Sequence, residues 1–254
     1  MNSDLVSIIT PTWNCGRFIA ETIQSVLAQT HTNWEMIIVD DCSTDNTRQV
    51  VDSFDDSRIR YHCLNKNSGA AIARNTALKM AKGRWIAFLD SDDLWKPEKL
   101  ESQLGFMVKN NYAFTYHKYT EIDEDSRPLG VLVSGKKVVS KWEMFACCWP
   151  GCLSVMYDAT KIGLIQIEDI KKNNDTALWL KVIKKSPCYL LDEDLAFYRR
   201  RKGSITPVTF WEKIWAHYPL FRVAGGLNPV LSTFWVGMNV LGNTYKKLFY
   251  VKNQ

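Results

Sequence analysis

Three carboxylates lie within four positions in the segment Asp90-Ser91-Asp92-Asp93, directly after an apolar run at 85–89. The apolar run predicts a buried strand, so the carboxylates follow the end of that strand. Their mutual repulsion is unfavourable there unless a cation lies among them, and carboxylate oxygens are the ligands that Mg²⁺ and Mn²⁺ prefer. The segment therefore indicates a divalent metal site. The alternative is an acidic turn before a helix that begins at Lys96-Pro97.

A second acidic pair, Asp40-Asp41, follows another apolar run at 34–39. Such an alternation of strands and helices, joined by short connections, predicts a parallel sheet with helices on both faces. Because ligands bind beyond the carboxyl ends of the strands in these sheets, both acidic clusters and residues 11–14 should meet at one edge. The predicted strands are 5–10, 34–39, 58–64 and 85–89, and the helices between them include 18–29 and 70–81, the latter closed by Gly83.

The alternation is looser after Asp93. The chain is long enough for one sizeable α/β domain, or for a domain with an appendage. The pattern predicts helices at 98–110, 142–147 and 177–183, strands at 112–119, 153–157, 189–191 and 195–199, and a hairpin or loop at 122–139.

Composition excludes several classes of protein. The chain is 46% hydrophobic and 23% charged, which is ordinary for a globular protein and argues against disorder. The net charge of +5 is modest and no basic stripe is interleaved with aromatic residues, so no nucleic-acid partner is expected. Seven cysteines without a Cys-x-x-Cys pair, and no signal peptide at 1–10, indicate reduced thiols in a cytoplasmic setting.

Residues 207–250 differ in character from the rest of the chain. No charged residue occurs from 223 to 245, yet Gly, Pro, Asn and Ser make the run too broken for a membrane-spanning helix. Its aromatic residues and the flanking cations Arg222, Lys246 and Lys247 predict that 207–254 lies on a membrane surface. The alternative is a helical hairpin packed on the domain or on a second subunit. In the second case the protein would be a homo-oligomer. The aromatic residues assigned to the membrane are Trp211, Trp215, Phe221, Phe234 and Trp235.

Four segments together resemble the family 2 glycosyltransferases, which have the GT-A fold. The segments are Val6-Ser7-Ile8-Ile9-Thr10-Pro11-Thr12-Trp13-Asn14, Ile38-Val39-Asp40-Asp41-Cys42-Ser43-Thr44-Asp45, Ala73-Arg74-Asn75 and Phe88-Leu89-Asp90-Ser91-Asp92-Asp93. Several ordered motifs must coincide to give this likeness, which spans about 5–205. It implies an α/β fold with a Rossmann-like, mainly parallel sheet flanked by helices, and a C-terminal helical appendage. Mild departures are Cys42, where Gly is commoner, and Trp13, where Tyr is usual.

The resemblance implies a donor-nucleotide pocket in the first half of the chain. Asp41 is similar to the residue that accepts a hydrogen bond from the uracil ring. Pro11, Thr12 and Trp13 are similar to the wall of the base pocket, where Trp13 can stack on a flat base unless it is an ordinary packed indole. Arg74 resembles the family's basic residue near the nucleotide, and the alternative is a surface arginine beside a loop.

The same resemblance assigns the metal site and the catalytic base. Asp92 is similar to the ribose-side residue of the metal motif, and Asp90 helps to orient the carboxylates. Either Asp92 or Asp93 is the direct ligand of Mn²⁺ or Mg²⁺. Asn174-Asp175 is similar to the family's acidic pair, with Asp175 as the base that takes a proton from the acceptor hydroxyl. Asn174 stands at the first acidic position, which removes a helper, and the alternative for Asp175 is an N-cap.

Two further segments belong to the acceptor half. Trp149-Pro150-Gly151-Cys152 lies where the resemblance places the floor of the acceptor site. Phe197-Tyr198-Arg199-Arg200-Arg201-Lys202-Gly203-Ser204-Ile205 is similar to the segment that closes the family's domain. Its cations are expected at the donor diphosphate or at anionic lipid headgroups, and the alternative is a solvated basic face.

The resemblance, together with the carboxylate clusters, implies an inverting, metal-dependent glycosyltransferase. It is expected to move a hexose or N-acetylhexosamine from a UDP-sugar to a lipid-linked saccharide at the inner face of a bacterial membrane, in O-antigen- or capsule-type polysaccharide synthesis. The domain is expected at 1–206, with a nucleotide-sugar half (1–110) and an acceptor half (111–206). A sugar nucleotidyltransferase or nicotinamide oxidoreductase is disfavoured, because no Gly-rich loop follows the first strand and no Gly-x-Gly-x-x-Gly occurs. A non-catalytic sugar-binding module stays open.

Overall fold

The computed structural model describes residues 2–170, 172–201 and 217–253. Its first half alternates strands and helices, which confirms the predicted order. β2 is buried along its whole length, as expected for a strand that is covered on both faces of the sheet. The elements are β1 (Asn2–Thr12), α1 (Ile19–Leu27), β2 (Trp34–Asp40), α2 (Thr47–Asp52), β3 (Ile59–Cys63), α3 (Ala70–Met80) and β4 (Gly83–Phe88).

The second half has shorter and less regular elements. They are β5 (Leu94–Trp95), α4 (Lys99–Asn110), β6 (Phe114–Ile122), β7 (Pro128–Val133), β8 (Val138–Val139), α5 (Lys141–Ala146), a 3₁₀ turn (Cys152–Ser154), β9 (Met156–Asp158), α6 (Ala159–Ile162), α7 (Asn174–Val182) and β10 (Cys188–Arg199). A π-helical turn (Leu220–Ala224), α8 (Pro229–Phe249) and β11 (Val251–Asn253) follow.

The structure corrects several local predictions. The two strands expected at 189–191 and 195–199 form the single strand β10, whose pairing with β6 shifts register in between. The strand expected at 153–157 is a 3₁₀ turn followed by the short β9. Gly83 begins β4 instead of closing α3, and a Cβ there would lie 2.5 Å from the carbonyl oxygen of Leu5. Glycine is therefore needed at this position because β1 and β4 approach closely.

The described strands form one sheet in the order β11-β7-β6-β9-β4-β1-β2-β3, and β10 pairs with β5, β6 and β8. Pairing among β1 to β4 is parallel, so their carboxyl ends share one edge. β9 is antiparallel to both β4 and β6, and the second half of the sheet is therefore mixed.

Two hydrophobic cores lie on opposite faces of the sheet. Alternate side chains of β1 enter different cores, because successive residues of a strand point to opposite faces. Ile8 packs with α1 on one face, and Ile9 packs with α3 and α7 on the other. The parallel part of the sheet is therefore packed on both faces.

The C-terminal segment packs on the domain. Trp235 of α8 stacks on Trp142 of α5 with ring centroids 5.6 Å apart, and β11 extends the sheet beside β7. No helix in the described ranges is long and apolar enough to cross a membrane. Trp211 and Trp215, and the boundary at 206/207, lie outside the described residues, so those predictions are not tested.

Candidate active site

The loops after β1 and β2 are joined to each other at the parallel edge. The N–H of Asn14 donates to Ser43 Oγ at 2.8 Å, and Asn14 Oδ1 accepts the N–H of Thr44 at 2.8 Å. Asp45 accepts the N–H of Gly16 at 2.9 Å. Cys42 has a φ of 61°, a left-handed conformation that favours Gly, which accounts for the glycine common at this position in the family.

The predicted base pocket lies beside this junction. Pro11 and Thr12 are buried at the end of β1, whereas Trp13 is 53% exposed. Trp13 is therefore not a packed core indole, and its ring face is available for stacking. Asp41 is buried, and its carboxylate accepts the N–H groups of Ser68 at 2.6 Å and Gly69 at 2.7 Å. Asp41 thus neutralises the N-terminus of α3, a role that the sequence reasoning missed.

Arg74 is buried, which contradicts the alternative of a surface arginine. Its Nη2 donates to Asp90 Oδ1 at 2.8 Å, and its Nη1 donates to the side-chain oxygen of Asn174. Burial alone would lower the pKa of Arg74, but nearby negative groups, including Asp90 and Asp175, raise it above its usual range. Arg74 therefore joins the acidic segment after β4 to the start of α7.

The carboxylates of Asp90, Asp92 and Asp93 lie close enough together for their negative charges to repel one another. Burial raises the pKa of Asp93 well above its usual range, and the charges of Asp92 and Asp90 raise it further. Burial likewise raises the pKa of Asp92, although Arg201 acts in the opposite direction. A cation among these groups would relieve both effects.

The basic segment 199–201 contacts the acidic segment directly. Arg201 pairs with Asp92 Oδ2 through its Nε. Arg199 is buried and structural, since its Nε donates to the carbonyl of Asp92 at 2.7 Å and its backbone N–H donates to Asp93 Oδ1 at 2.9 Å. Arg200 pairs with Glu121 instead. Sequence reasoning found this run but missed its carboxylate partners, because Glu121 lies 79 residues earlier and Asp92 and Asp93 lie more than 100 residues earlier.

The carboxylates fit a divalent cation in part. Over the residues that the structure describes, no three His, Cys, Asp or Glu side chains are grouped to hold a metal ion unaided. Asp93 Oδ2 is buried and receives no hydrogen bond from the described part of the chain. Mg²⁺ usually takes one or two carboxylates and completes its shell with phosphates and water. Asp92 and Asp93 are suited to such a partial shell.

Asp175 lies in the first turn of α7, two residues after the N-cap Asn173. Its Oδ1 accepts the N–H of Thr176 at 2.7 Å, and the carboxylate is half-buried. The N-cap alternative for Asp175 is therefore wrong. Through Asn174 and Arg74, this turn is tied to Asp90 at the parallel edge.

The predicted acceptor floor has two different parts. Trp149 is 4% exposed and packs edge-on against Tyr250, so its ring is not open to a substrate. Cys152 lies 3.6 Å from Nη2 of Arg74, so this end of the segment borders the site. Lys246 of α8 donates to the carbonyls of Cys148 and Trp149 at 3.0 and 2.6 Å.

The parallel edge of the sheet carries clustered carboxylates, backed by a buried arginine and by the start of α7, as expected for the GT-A glycosyltransferase fold that the sequence resembles. The chain belongs to the family described as glycosyl transferase family 2, whose profile matches residues 7–141.

Curated relatives agree with this assignment. The chain is 40% identical to a putative teichuronic acid biosynthesis glycosyltransferase of Bacillus subtilis, TuaG, over 96% of this chain and 97% of that one. It is 45% identical over 72% of each chain to WfgD of Escherichia coli, named as a UDP-Glc:α-D-GlcNAc-diphosphoundecaprenol β-1,3-glucosyltransferase. Among solved structures, Staphylococcus aureus TarS 1-349 in complex with UDP-GlcNAc shares the fold, with a TM-score of 0.70 at 21% identity, over 96% of this chain and 73% of that one.

Proposed function

We propose that this glycosyltransferase inverts configuration, depends on a divalent metal, and moves a hexose or N-acetylhexosamine from a UDP-sugar to a hydroxyl of a lipid-linked saccharide. One observation carries the proposal: Arg74 joins the Asp90 segment to the start of α7, which carries Asp175. Donor-side carboxylates and a candidate base thus flank one buried cation. That arrangement suits a single displacement, which needs one base and no protein nucleophile.

On the donor side, we assign Pro11, Thr12 and the exposed Trp13 to the uracil base. Asp41 is assigned to the uracil N–H, since a carboxylate oxygen that already accepts one hydrogen bond retains a second lone pair. The name of WfgD supports a UDP-sugar, because it states UDP-Glc as the donor.

Asp92 and Asp93 would hold Mn²⁺ or Mg²⁺ together with the donor diphosphate. When bound, such an ion neutralises the charge that develops on the leaving diphosphate. Arg201 supplies a second positive charge beside Asp92. Asp90 and Arg74 fix the segment that carries these groups.

Asp175 is the group we assign as general base. It is half-buried at the start of α7 and carries no paired cation of its own among the described residues. A proton taken from the acceptor hydroxyl would leave the oxygen free to attack the anomeric carbon. Asn174 contributes by holding Arg74 instead of acting as a second acid.

The acceptor and the setting are proposed from the relatives. WfgD is named for a diphosphoundecaprenol-linked GlcNAc acceptor and TuaG for teichuronic acid biosynthesis. We therefore place this enzyme in surface-polysaccharide synthesis, at the inner face of the cell membrane and peripheral to it.

A donor screen tests the proposal. UDP-, GDP- and dTDP-sugars are incubated with Mn²⁺ and a short lipid-linked GlcNAc diphosphate, and nucleotide release is measured. We expect release with a UDP-sugar only, and a loss of about 10²–10⁴-fold in rate for Asp175→Asn. Asp192→Asn is the matched control, because Asp192 is 70% exposed in its side chain and pairs with Lys118 of β6. Donor binding without any release would reassign the chain to a non-catalytic sugar-binding module.

A further inference from the structure

The larger apolar surface of α8 faces away from the domain. Its inward side buries two polar residues, Ser232 and Asn239, beside the apolar Val236. Its outward side is apolar and exposed, with Val230 at 78%, Leu241 at 65% and Leu248 at 71% exposure. A surface helix of a globular protein normally shows the opposite arrangement. We define the α8 apolar face as Val230, Phe234, Leu241, Tyr245 and Leu248, which share one side of the helix at 3.6 residues per turn.

The inward contacts fix the orientation of α8. Asn239 Nδ2 donates to the carbonyl of Phe145 at 3.2 Å. A Cβ at Gly242 would lie 2.1 Å from the carbonyl oxygen of Ala146, so the backbones of α8 and α5 are in direct contact at this point. Lys246 donates inward to two loop carbonyls. Rotating α8 to bury its apolar face would break each of these contacts.

We propose that the α8 apolar face docks on the surface of an anionic lipid bilayer, which deepens the proposed function by naming the surface that presents the lipid-linked acceptor. Charge favours a bilayer over a second copy of the chain. Residues 217–253 contain no Asp or Glu, and their cations are Arg222, Lys247 and Lys252, in addition to Lys246, which is held by the inward carbonyls. A twofold contact through this face would bring like charges together, whereas anionic headgroups would complement them.

The structure also changes which residues carry the docking. Phe221 is fully buried and Trp235 is half-buried, so neither supplies lipid-facing area as the sequence suggested. Lys246 points to the loop carbonyls of Cys148 and Trp149. Phe234, at 54% exposure, is retained from the predicted set.

Docking through this face has a consequence for catalysis. Lys246 holds the loop that leads to Cys152, and Cys152 contacts Arg74. A docked α8 would thus fix the acceptor side of the site relative to the membrane in which a lipid-linked acceptor is anchored. The helix α8 thus contacts both the membrane, through its apolar face, and the acceptor-side loop, through Lys246.

Vesicle sedimentation of the full chain tests the proposal, with phosphatidylcholine vesicles and with phosphatidylcholine–phosphatidylglycerol vesicles. We expect sedimentation with the anionic vesicles, weakened by salt. Leu241→Glu and Leu248→Glu should each lower partitioning at least about tenfold, because an apolar contact is lost and a negative charge is added. Val108→Glu is the matched control: Val108 is 61% exposed on α4 and lies outside the face.

Three results would overturn the proposal. The first is an unmodified chain that stays in the supernatant with anionic vesicles, and the second is a Leu241→Glu variant that partitions like Val108→Glu. The third is a concentration-dependent dimer that Leu241→Glu dissociates, which would make the face a contact between two copies. Both leucines are largely exposed, so each variant should fold, and its melting temperature checks this. The proposed function is measured separately, as UDP release with a water-soluble acceptor and no lipid. If no UDP were released, the glycosyltransferase mechanism would be refuted and the vesicle result would be unaffected.

Discussion

Replacing Arg74 by Met should lower both stability and turnover. Met keeps much of the length of the side chain but removes the ion pair with Asp90, at 2.8 Å, and the hydrogen bond to Asn174. Breaking a fully buried ion pair costs about 3–5 kcal/mol of unfolding free energy. Here the Asp90 side chain is 33% exposed and can regain water, so we expect about 1–3 kcal/mol.

The rate should fall by a different mechanism. Without Arg74, the start of α7 loses its connection to the acidic segment after β4, and Asp175 shifts relative to the donor site. A misplacement of about 1 Å can cost 10²-fold in rate, so kcat should drop by up to about that factor. UDP affinity should change less, because Arg74 donates to protein groups in the described structure.

Arg84→Met is the matched control. Arg84 pairs with Asp158 at the same 2.8 Å, and Asp158 is fully buried, but the pair lies at the start of β4 and not at its carboxyl end. This variant should lose stability with little change in kcat. Urea unfolding and steady-state kinetics of both variants provide the comparison. If Arg74→Met lost stability but kept wild-type kcat, the positioning role would be refuted. A large rise in UDP Kd at unchanged kcat would instead make Arg74 a nucleotide ligand.

The metal site, Asp41, His117 and Gly83 can each be tested by a single perturbation. EDTA should abolish nucleotide release and Mn²⁺ should restore it, whereas full activity of Asp92→Ala in EDTA would exclude metal dependence. Asp41→Ala should weaken UDP binding more than it lowers saturated kcat, and should cost about 1 kcal/mol of stability through the uncapped α3; equal binding of UDP and CDP by the unmodified chain would contradict the assignment. Burial, with a contribution from Lys99, lowers the pKa of His117 to about 3. Between about pH 6.5 and about pH 3 the unfolded chain therefore binds a proton at this residue and the folded chain does not. The free energy of unfolding should fall by about 1.4 kcal/mol per pH unit as the pH drops through this range. The His117→Gln variant should lack this pH dependence. If urea unfolding gave the same slope of unfolding free energy against pH for both proteins, the prediction would be refuted. Gly83→Ala should reduce the melting temperature because its Cβ meets the backbone of β1, and an unchanged value would show that the strands can separate.

Much of the framework of the site is determined by local sequence. Alternating apolar runs and helical periods predicted β1 to β4 and the helices between them, because each pattern depends only on residues a few positions apart. Parallel pairing then places Asp41 and the Asp90 segment at one edge, since the carboxyl ends of parallel strands coincide. The acidic clusters could therefore be assigned to one site without knowledge of any side-chain contact.

The partners of those residues were decided by tertiary structure. Arg74 and Asn174 are 100 positions apart, and no local pattern records that α7 begins beside α3. The same holds for Arg201, whose partner Asp92 is 109 positions earlier. For α8, composition indicated an apolar, basic-flanked segment, but which side faces the domain depends on how closely α5 and Gly242 approach. Such contacts depend on the packing of whole elements, and for that reason only the folded chain identifies the exposed apolar face.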